Sequence, residues 1–340
     1  MRDIDEAVHA GSEAVTACES CRAHRPAILD IAAAALRRRF ARSRNIADID
    51  LAVRFSRHAV ALTPDGSRQP ARLSSLALAL QERFARTGNR ADLDEAVQIS
   101  RTAFEAAGTD RSLGSLANNL SLALRRRYGL TKSRPDLDEA IELARAAAAA
   151  VPPGHPIRAD RLSNLAHALR ARYRRTGLPT DLDTAIASWH EATNTTSAAS
   201  LTRLESATSS ASATAKARGL PMAAPAYATA VSLLPLVACR GIPRTDQEFH
   251  LRTAGASLGP DSAAAAVAGG RHGLAIELLE AGRSVQWSQL LEIRSDLRSL
   301  EHVAPALASA LRNCRTHLDE QLEDFPTESL DDGGLIGTEI

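Results

Sequence analysis

The chain has 340 residues, 44% of them hydrophobic but only 3% aromatic, and its 41 basic and 40 acidic side chains leave a formal net charge of +1. That balance excludes an overall field drawing the protein onto nucleic acid or an anionic membrane, and four cysteines over this length make no disulfide framework, which suits a reducing compartment. No basic segment followed by an apolar one opens the chain, and no uncharged apolar run of roughly 18 to 20 residues is read in it, so no membrane contact and a cytoplasmic location are expected.

In chain order, Asp3-Ile4-Asp5-Glu6-Ala7-Val8 reads as the start of a helix of a kind that recurs further on. It has no partner helix before it, so both ends of the chain are expected to be trimmed relative to a longer array. Cys18, Cys21 and His24 follow at tight spacing, with His9 upstream. A structural zinc site needs four ligands, commonly with a second Cys/His pair. An ordinary connection between helices is the favoured reading, and no metal or other cofactor is expected.

Next comes a phrase that returns four times: an Arg-aromatic pair, an Asp-x-Asp, and a helix with small residues at fixed offsets. The aromatics are Phe40, Phe84, Tyr128 and Tyr173, at steps of 44, 44 and 45 residues. Before each aromatic, apolar positions fall three and four apart, as in Leu73, Leu76, Ala77, Leu80 and Phe84, which places them on one face of a first helix. The Asp-x-Asp of each unit, Asp48/Asp50, Asp92/Asp94, Asp136/Asp138 and Asp181/Asp183, is read as the start of a second helix, with Asp92 and Glu95 as a capping box. Small residues recur inside it: Ala52, Ser56, Ala59; Ala96, Ser100, Ala103; Ala140, Ala144, Ala147. The fourth copy reads Ala185, Trp189, Ala192, and Pro64 and Pro152 stop the helices that precede them. Arg39, Arg83, Arg127 and Arg172 each stand nine residues before Asp48, Asp92, Asp136 and Asp181, a spacing that predicts a structural clamp from one helix end to the next helix start.

A fixed period in this range signals stacked two-helix units, each unable to bury its apolar face alone. These residues resemble the tetratricopeptide repeat, whose second helix has small residues at the same offsets. The longer period is attributed to a longer first helix and an extended connection from Arg86 to Asp92. The resemblance implies an all-α fold, a right-handed α-α superhelix over residues 1–195, with the first helices lining its concave face. Asparagines on that face often bond the backbone of a bound peptide in such domains, which makes Asn119 and Asn164 candidate binding residues, with Arg126 and His167 extending the surface.

Beyond residue 195 the Asp-x-Asp phrase does not return, and residues 196–322 are expected to form an atypical helical region. The acidic tail 323–340 is expected to be disordered. The segments Ala230-Val231-Ser232-Leu233-Leu234-Pro235, Cys239-Arg240-Gly241, Ala275 to Arg283, Trp287-Ser288-Gln289-Leu290-Leu291 and Arg294 to Leu297 resemble the helical region before the caspase-like peptidase domain of bacterial TPR-CHAT proteins. That resemblance implies a CHAT-type protease domain that is absent or encoded separately.

Within the chain, Cys239 and Cys314 lie in expected helices, and His250 and His317 beside them do not make the strand-end dyad such chemistry needs; no catalytic residue is assigned. The clusters Arg37 to Arg39, Arg125 to Arg127 and Arg170 to Arg175 could touch phosphates, but the clamp claims part of each, and nucleic acid is not the expected partner. No phosphate-binding glycine loop is present. The expected function is a non-catalytic interaction scaffold holding a protein or peptide on the concave face, with the sensor half of a CHAT protease system as the alternative.

Overall fold

A computed structural model of the chain describes residues 2–17, 24–64, 66, 68–108, 112–238, 251, 257–283, 285 and 298–323. Among these residues there are fifteen α-helices and no strand. The chain divides into two compact units, Met1–Ala213 and Thr214–Ile340.

The first unit holds α1 (Arg2–Ala17), α2 (Arg25–Ser43), α3 (Ile46–Ala61), α4 (Gln69–Thr87), α5 (Arg90–Ala106), α6 (Leu113–Thr131), α7 (Arg134–Ala149), α8 (Pro156–Thr176) and α9 (Pro179–Asn194). α10 (Ser200–Arg218) carries the chain past the boundary. α2, α4, α6 and α8 are the first helices, and each packs most extensively on the second helix that follows it: α3, α5, α7 or α9. Each second helix in turn packs on the next first helix, so the unit is an α-solenoid with no single closed core.

The apolar positions three and four apart account for this packing. Leu29, Ala32, Ala33, Leu36 and Phe40 of α2 are all buried, and so are Leu73, Leu76, Ala77 and Leu80 of α4. The small residues at the recurring offsets of the second helices are all buried, from Ala52, Ser56 and Ala59 to Ala185 and Ala192, and their lack of bulk lets neighbouring helices approach closely. At the fourth copy the fully buried Trp189 fills this layer together with Leu165, Leu169 and Ala213.

Two expectations for the repeat are corrected. The connection between paired helices is not extended: only Gly88 and Asn89 separate α4 from α5, so the long period comes from first helices of 19 to 21 residues. Nor do the second helices start at the aspartates. The N-caps are Asn45, Asn89 and Ser133, whose side chains accept from Ala47, Ala91 and Asp136 backbone N–H groups. Asp92 therefore sits one turn inside its helix, where its carboxylate is engaged by an arginine, and Glu95 pairs with Arg57 instead of closing a capping box.

In the second unit, α11 (Leu220–Val237) packs on α12 (Leu258–Ala268), which packs on α13 (His272–Arg283). α12 and α13 cross where a Cβ on Gly282 would come within 2.7 Å of the Gly259 Cα, so only glycine fits that crossing. α14 (Arg298–Val303) and α15 (Pro305–Glu323) complete the described residues.

α11 corrects the reading that no segment could span a bilayer. It is 18 residues long, free of charge and apolar enough by length and composition; its Pro, Ser and Thr residues interrupt a count of apolar positions without adding a charge. Ala223, Ala224, Tyr227, Ala230, Val231, Leu233, Leu234 and Val237 of this helix are buried, as in a core helix. Cys18, Cys21, Cys239 to Gly241, His250, Trp287 to Leu291, Arg294 to Leu297 and the tail after Glu323 lie outside the described residues.

Candidate functional site

The clamp arginines stand one residue before each aromatic, at the C-terminal end of a first helix, and they face the first aspartate of the paired second helix. Arg39 Nε and Nη2 donate to Asp48 at 3.0 and 2.7 Å, Arg83 to Asp92 at 2.8 and 2.7 Å, Arg127 to Asp136 at 2.7 and 2.8 Å, and Arg172 to Asp181 at 2.8 and 2.8 Å. All four aspartates are buried. Hydrogen bonding to the aspartate is the main cause that raises each guanidinium above its ordinary pKa, against the opposing effect of burial.

The second aspartate of the phrase works on the following unit. Asp5 lies 3.5 Å from Arg39, Asp50 3.4 Å from Arg83 and Asp138 3.6 Å from Arg172, while the charge of Asp94 acts on Arg127. One arginine thus ties its own pair together and ties that pair to the preceding one. The sequence spacing showed the first of these links; the second crosses 33 or 34 residues and leaves no local signature.

Successive first helices touch one another directly: α2 meets α4, α4 meets α6, and α6 meets α8. Their common face carries the four candidate binding residues. Asn119 Nδ2 donates to Ser74 Oγ at 2.8 Å, and Asn164 Nδ2 donates to Asn118 Oδ1 at 3.0 Å. Each asparagine uses one amide N–H to bridge to the preceding first helix and keeps a second N–H and its carbonyl oxygen without a partner in these bonds. Arg37 Nε and Nη2 donate to Glu82 at 2.9 and 2.6 Å across the same seam.

Arg126 and His167 lie further along this face with Arg125 and Arg170, and all four are half-buried. Burial, with help from the neighbouring Arg126 and Arg170, pushes the Arg125 guanidinium down to about 10. Burial also lowers Arg126 and Arg170. His167 is pushed down to about 3 by burial and by the charges of Arg125 and Arg170, so its imidazole is neutral at neutral pH. Arg170 Nη2 lies 3.3 Å from His167 Nδ1; since arginine can only donate, Nδ1 accepts and the proton resides on Nε2.

Trp189 underlies both residues, with its ring 5.2 Å from the Arg170 guanidinium and in edge contact with the His167 ring, centroids 5.2 Å apart. The unusual size of Trp189 in its column was legible in the sequence, but its place beneath the α8 side chains was not.

The other arginines of the three clusters are largely committed to structure. Arg37, Arg39, Arg127 and Arg172 are paired with carboxylates as above, and Arg175 donates to the Lys132 carbonyl. Arg158 and Arg161 of α8 donate to the carbonyls of Ala148, Val151 and Ala147 at the end of α7. On the second helices, Arg57 pairs with Glu95 and Arg101 with Glu139 across successive units. Among the described residues no group of three His, Cys, Asp or Glu side chains could hold a metal ion.

Residues 113–157, which span α6, α7 and the start of α8, match the tetratricopeptide repeat family model. No curated protein matches the chain. Among solved structures, BtubC (BKLC) from P. vanneervenii is similar with 15% identity and a TM-score of 0.48, over 72% of this chain and 91% of that one. A kinesin light chain from Podosopora anserina with nearly identical TPR-like repeats is similar with 21% identity and a TM-score of 0.44, over 65% of this chain and 97% of that one.

Proposed function

We propose that the first unit is a protein-interaction module without a catalytic step, and that it receives an extended segment of a partner protein along the common face of α2, α4, α6 and α8. Tetratricopeptide repeats are in general protein-interaction scaffolds, and residues 113–157 match one. The observation that carries the reading is an asymmetry between the two helix layers. Charges on the second helices are matched from unit to unit, by Arg57 with Glu95 and Arg101 with Glu139. The first-helix face is matched in this way where α2 meets α4, by Arg37 with Glu82, but on α6 and α8 it keeps half-buried polar groups with unused hydrogen-bonding capacity at Asn119, Asn164 and Arg126. Half-exposed Leu78 and Leu122 stand among them, a mixture of apolar surface and placed polar groups suited to an extended chain.

A photoreactive benzophenone side chain at position 122, on α6, tests this in the full chain exposed to native lysate. A discrete protein adduct should form from position 122 and not from position 142, an exposed site on α7. Adducts that form equally or only from position 142, or from neither position, would overturn the reading. A cytoplasmic site of action is part of this proposal, on the sparse cysteines of the chain. The link to a CHAT-type protease rests on the resemblance of residues 230–297 alone.

A further inference from the structure

Where α2 meets α4, the molecule shows how an arginine on the first-helix face is satisfied. Arg37 stands three residues before the aromatic of its helix, and the residue two before the aromatic of the next helix, Glu82, takes it in a two-pronged carboxylate pair. The same two positions recur at each seam with different occupants. Between α4 and α6 they hold Gln81 and Arg126, and between α6 and α8 they hold Arg125 and Ala171, with Arg170 in the arginine position on α8.

The acid has therefore been replaced by a third guanidinium at one seam and by a methyl group at the next. Among the described residues no carboxylate lies within ion-pair distance of Arg125, Arg126 or Arg170. Gln81 is fully buried, and neither its Nε2 nor its Oε1 has a partner. The charge of Glu82, already bonded to Arg37, reaches Arg126 but makes no ion pair with it; half-buried cations without an ion-pair partner, like a buried amide with no hydrogen bond, are unfavourable as they stand. The cations become favourable when an anion with acceptor oxygens is seated among them.

Resting on the interaction role proposed above, we infer that the partner segment is acidic and that its carboxylates are held by Arg125, Arg126 and Arg170, in the manner that Glu82 is held by Arg37. The intramolecular Arg37–Glu82 pair is the reason to favour a carboxylate. A nucleic acid strand needs a continuous run of phosphate contacts, whereas Arg127, Arg161, Arg172 and Arg175 around this cluster are already engaged with Asp136, Asp181 and backbone carbonyls, and exposed Arg174 alone does not extend the cluster into a run. Burial keeps His167 neutral and so without charge toward the ligand, and the Trp189 ring holds Arg170 from below.

The experiment uses the full chain and a fluorescent 12-residue peptide of alternating Glu and Ala, with a Gln/Ala peptide and a 12-residue oligouridylate as comparisons. The Glu/Ala peptide should bind, the Gln/Ala peptide should bind roughly tenfold more weakly or worse, and R125Q/R126Q should lose a similar factor. R54Q/R90Q, which removes two exposed arginines from α3 and α5, should bind as the unaltered chain does, and R125K/R126K should retain part of the affinity if folding is intact. Equal binding of the two peptides, an unaffected R125Q/R126Q, or tighter binding of the oligouridylate would overturn the inference. Adduct formation from position 122 separates the two levels: an adduct that persists unchanged in R125Q/R126Q and under excess Glu/Ala peptide leaves the interaction role standing and removes only the acidic partner.

Discussion

Each Asp-x-Asp divides its labour between its two carboxylates, and the division follows from where the first turn of the second helix points them. The first aspartate, as in Asp92 with a side chain 5% exposed, is sealed against Arg83, which itself remains 20% exposed and also reaches Asp50. The two partners should therefore differ in what their loss costs. Arg83→Met leaves a buried carboxylate with no counter-charge and should cost about 3–5 kcal/mol. Asp92→Asn leaves an arginine that can turn to water and to Asp50, and should cost about 1–2 kcal/mol. Urea unfolding of the two variants measures both; equal costs, or a larger cost for Asp92→Asn, would remove the argument. The nine-residue spacing made the clamp legible because both partners belong to one local phrase. The pairing of Asp50 with Arg83 was not legible, since it depends on how units stack. The same holds for Asn119 and Asn164: their positions on the first-helix face were readable, but their bonds to Ser74 and Asn118 on the preceding first helix were not.

At the scale of the element, the two-residue connection inside each pair decides how sharply the chain reverses. The first helices end on a left-handed residue whose N–H returns to the carbonyl of the aromatic: Arg44 to Phe40, Gly88 to Phe84, Lys132 to Tyr128, Gly177 to Tyr173. Glycine adopts this conformation without a steric penalty, and other residues do so at a cost of roughly 1 kcal/mol. Gly88, at φ 71° with nothing within 4 Å of a built Cβ, isolates the backbone effect, so Gly88→Ala should destabilise by about 1 kcal/mol. Lys132, at φ 57°, bonds the Gly129 carbonyl at 2.8 Å and lies 5.7 Å from the Tyr128 ring. Lys132→Gly relieves strain while losing those contacts and loosening the unfolded chain, and should change stability by less than about 0.5 kcal/mol. Paired thermal melts check both figures, and a large loss in Lys132→Gly would mean that the side chain, not the backbone, holds the turn. The helices themselves were legible from apolar spacing because their faces are buried as the pattern demands. Their starts were misjudged because aspartate is a common cap, and here the caps are Asn45, Asn89 and Ser133 while the aspartates serve arginines.

Across the first unit, stability should be close to a sum over pairs and over contacts between neighbouring pairs, because each helix touches only those near it in sequence. The 44-residue step then becomes a unit that can be removed. Deleting residues 89–132 joins Gly88 to Ser133, an N-cap residue for an N-cap residue, and sets Arg83 nine residues before Asp136 in place of Asp92. The shortened chain should keep its helical content per residue and a cooperative thermal transition, at a lower midpoint that reflects the loss of one pair and one interface. Deleting residues 89–110 takes out a second helix alone, sets two first helices in succession with their buried faces unmatched, and should abolish cooperative unfolding. Circular dichroism on the two deletions decides the matter. A 44-residue deletion that fails to fold would mean that distant pairs depend on one another and that the first unit behaves as one core. Because the deletion also removes Arg125 and Arg126, a folded product that no longer binds the Glu/Ala peptide would locate acidic recognition on the missing pair, separately from the integrity of the solenoid.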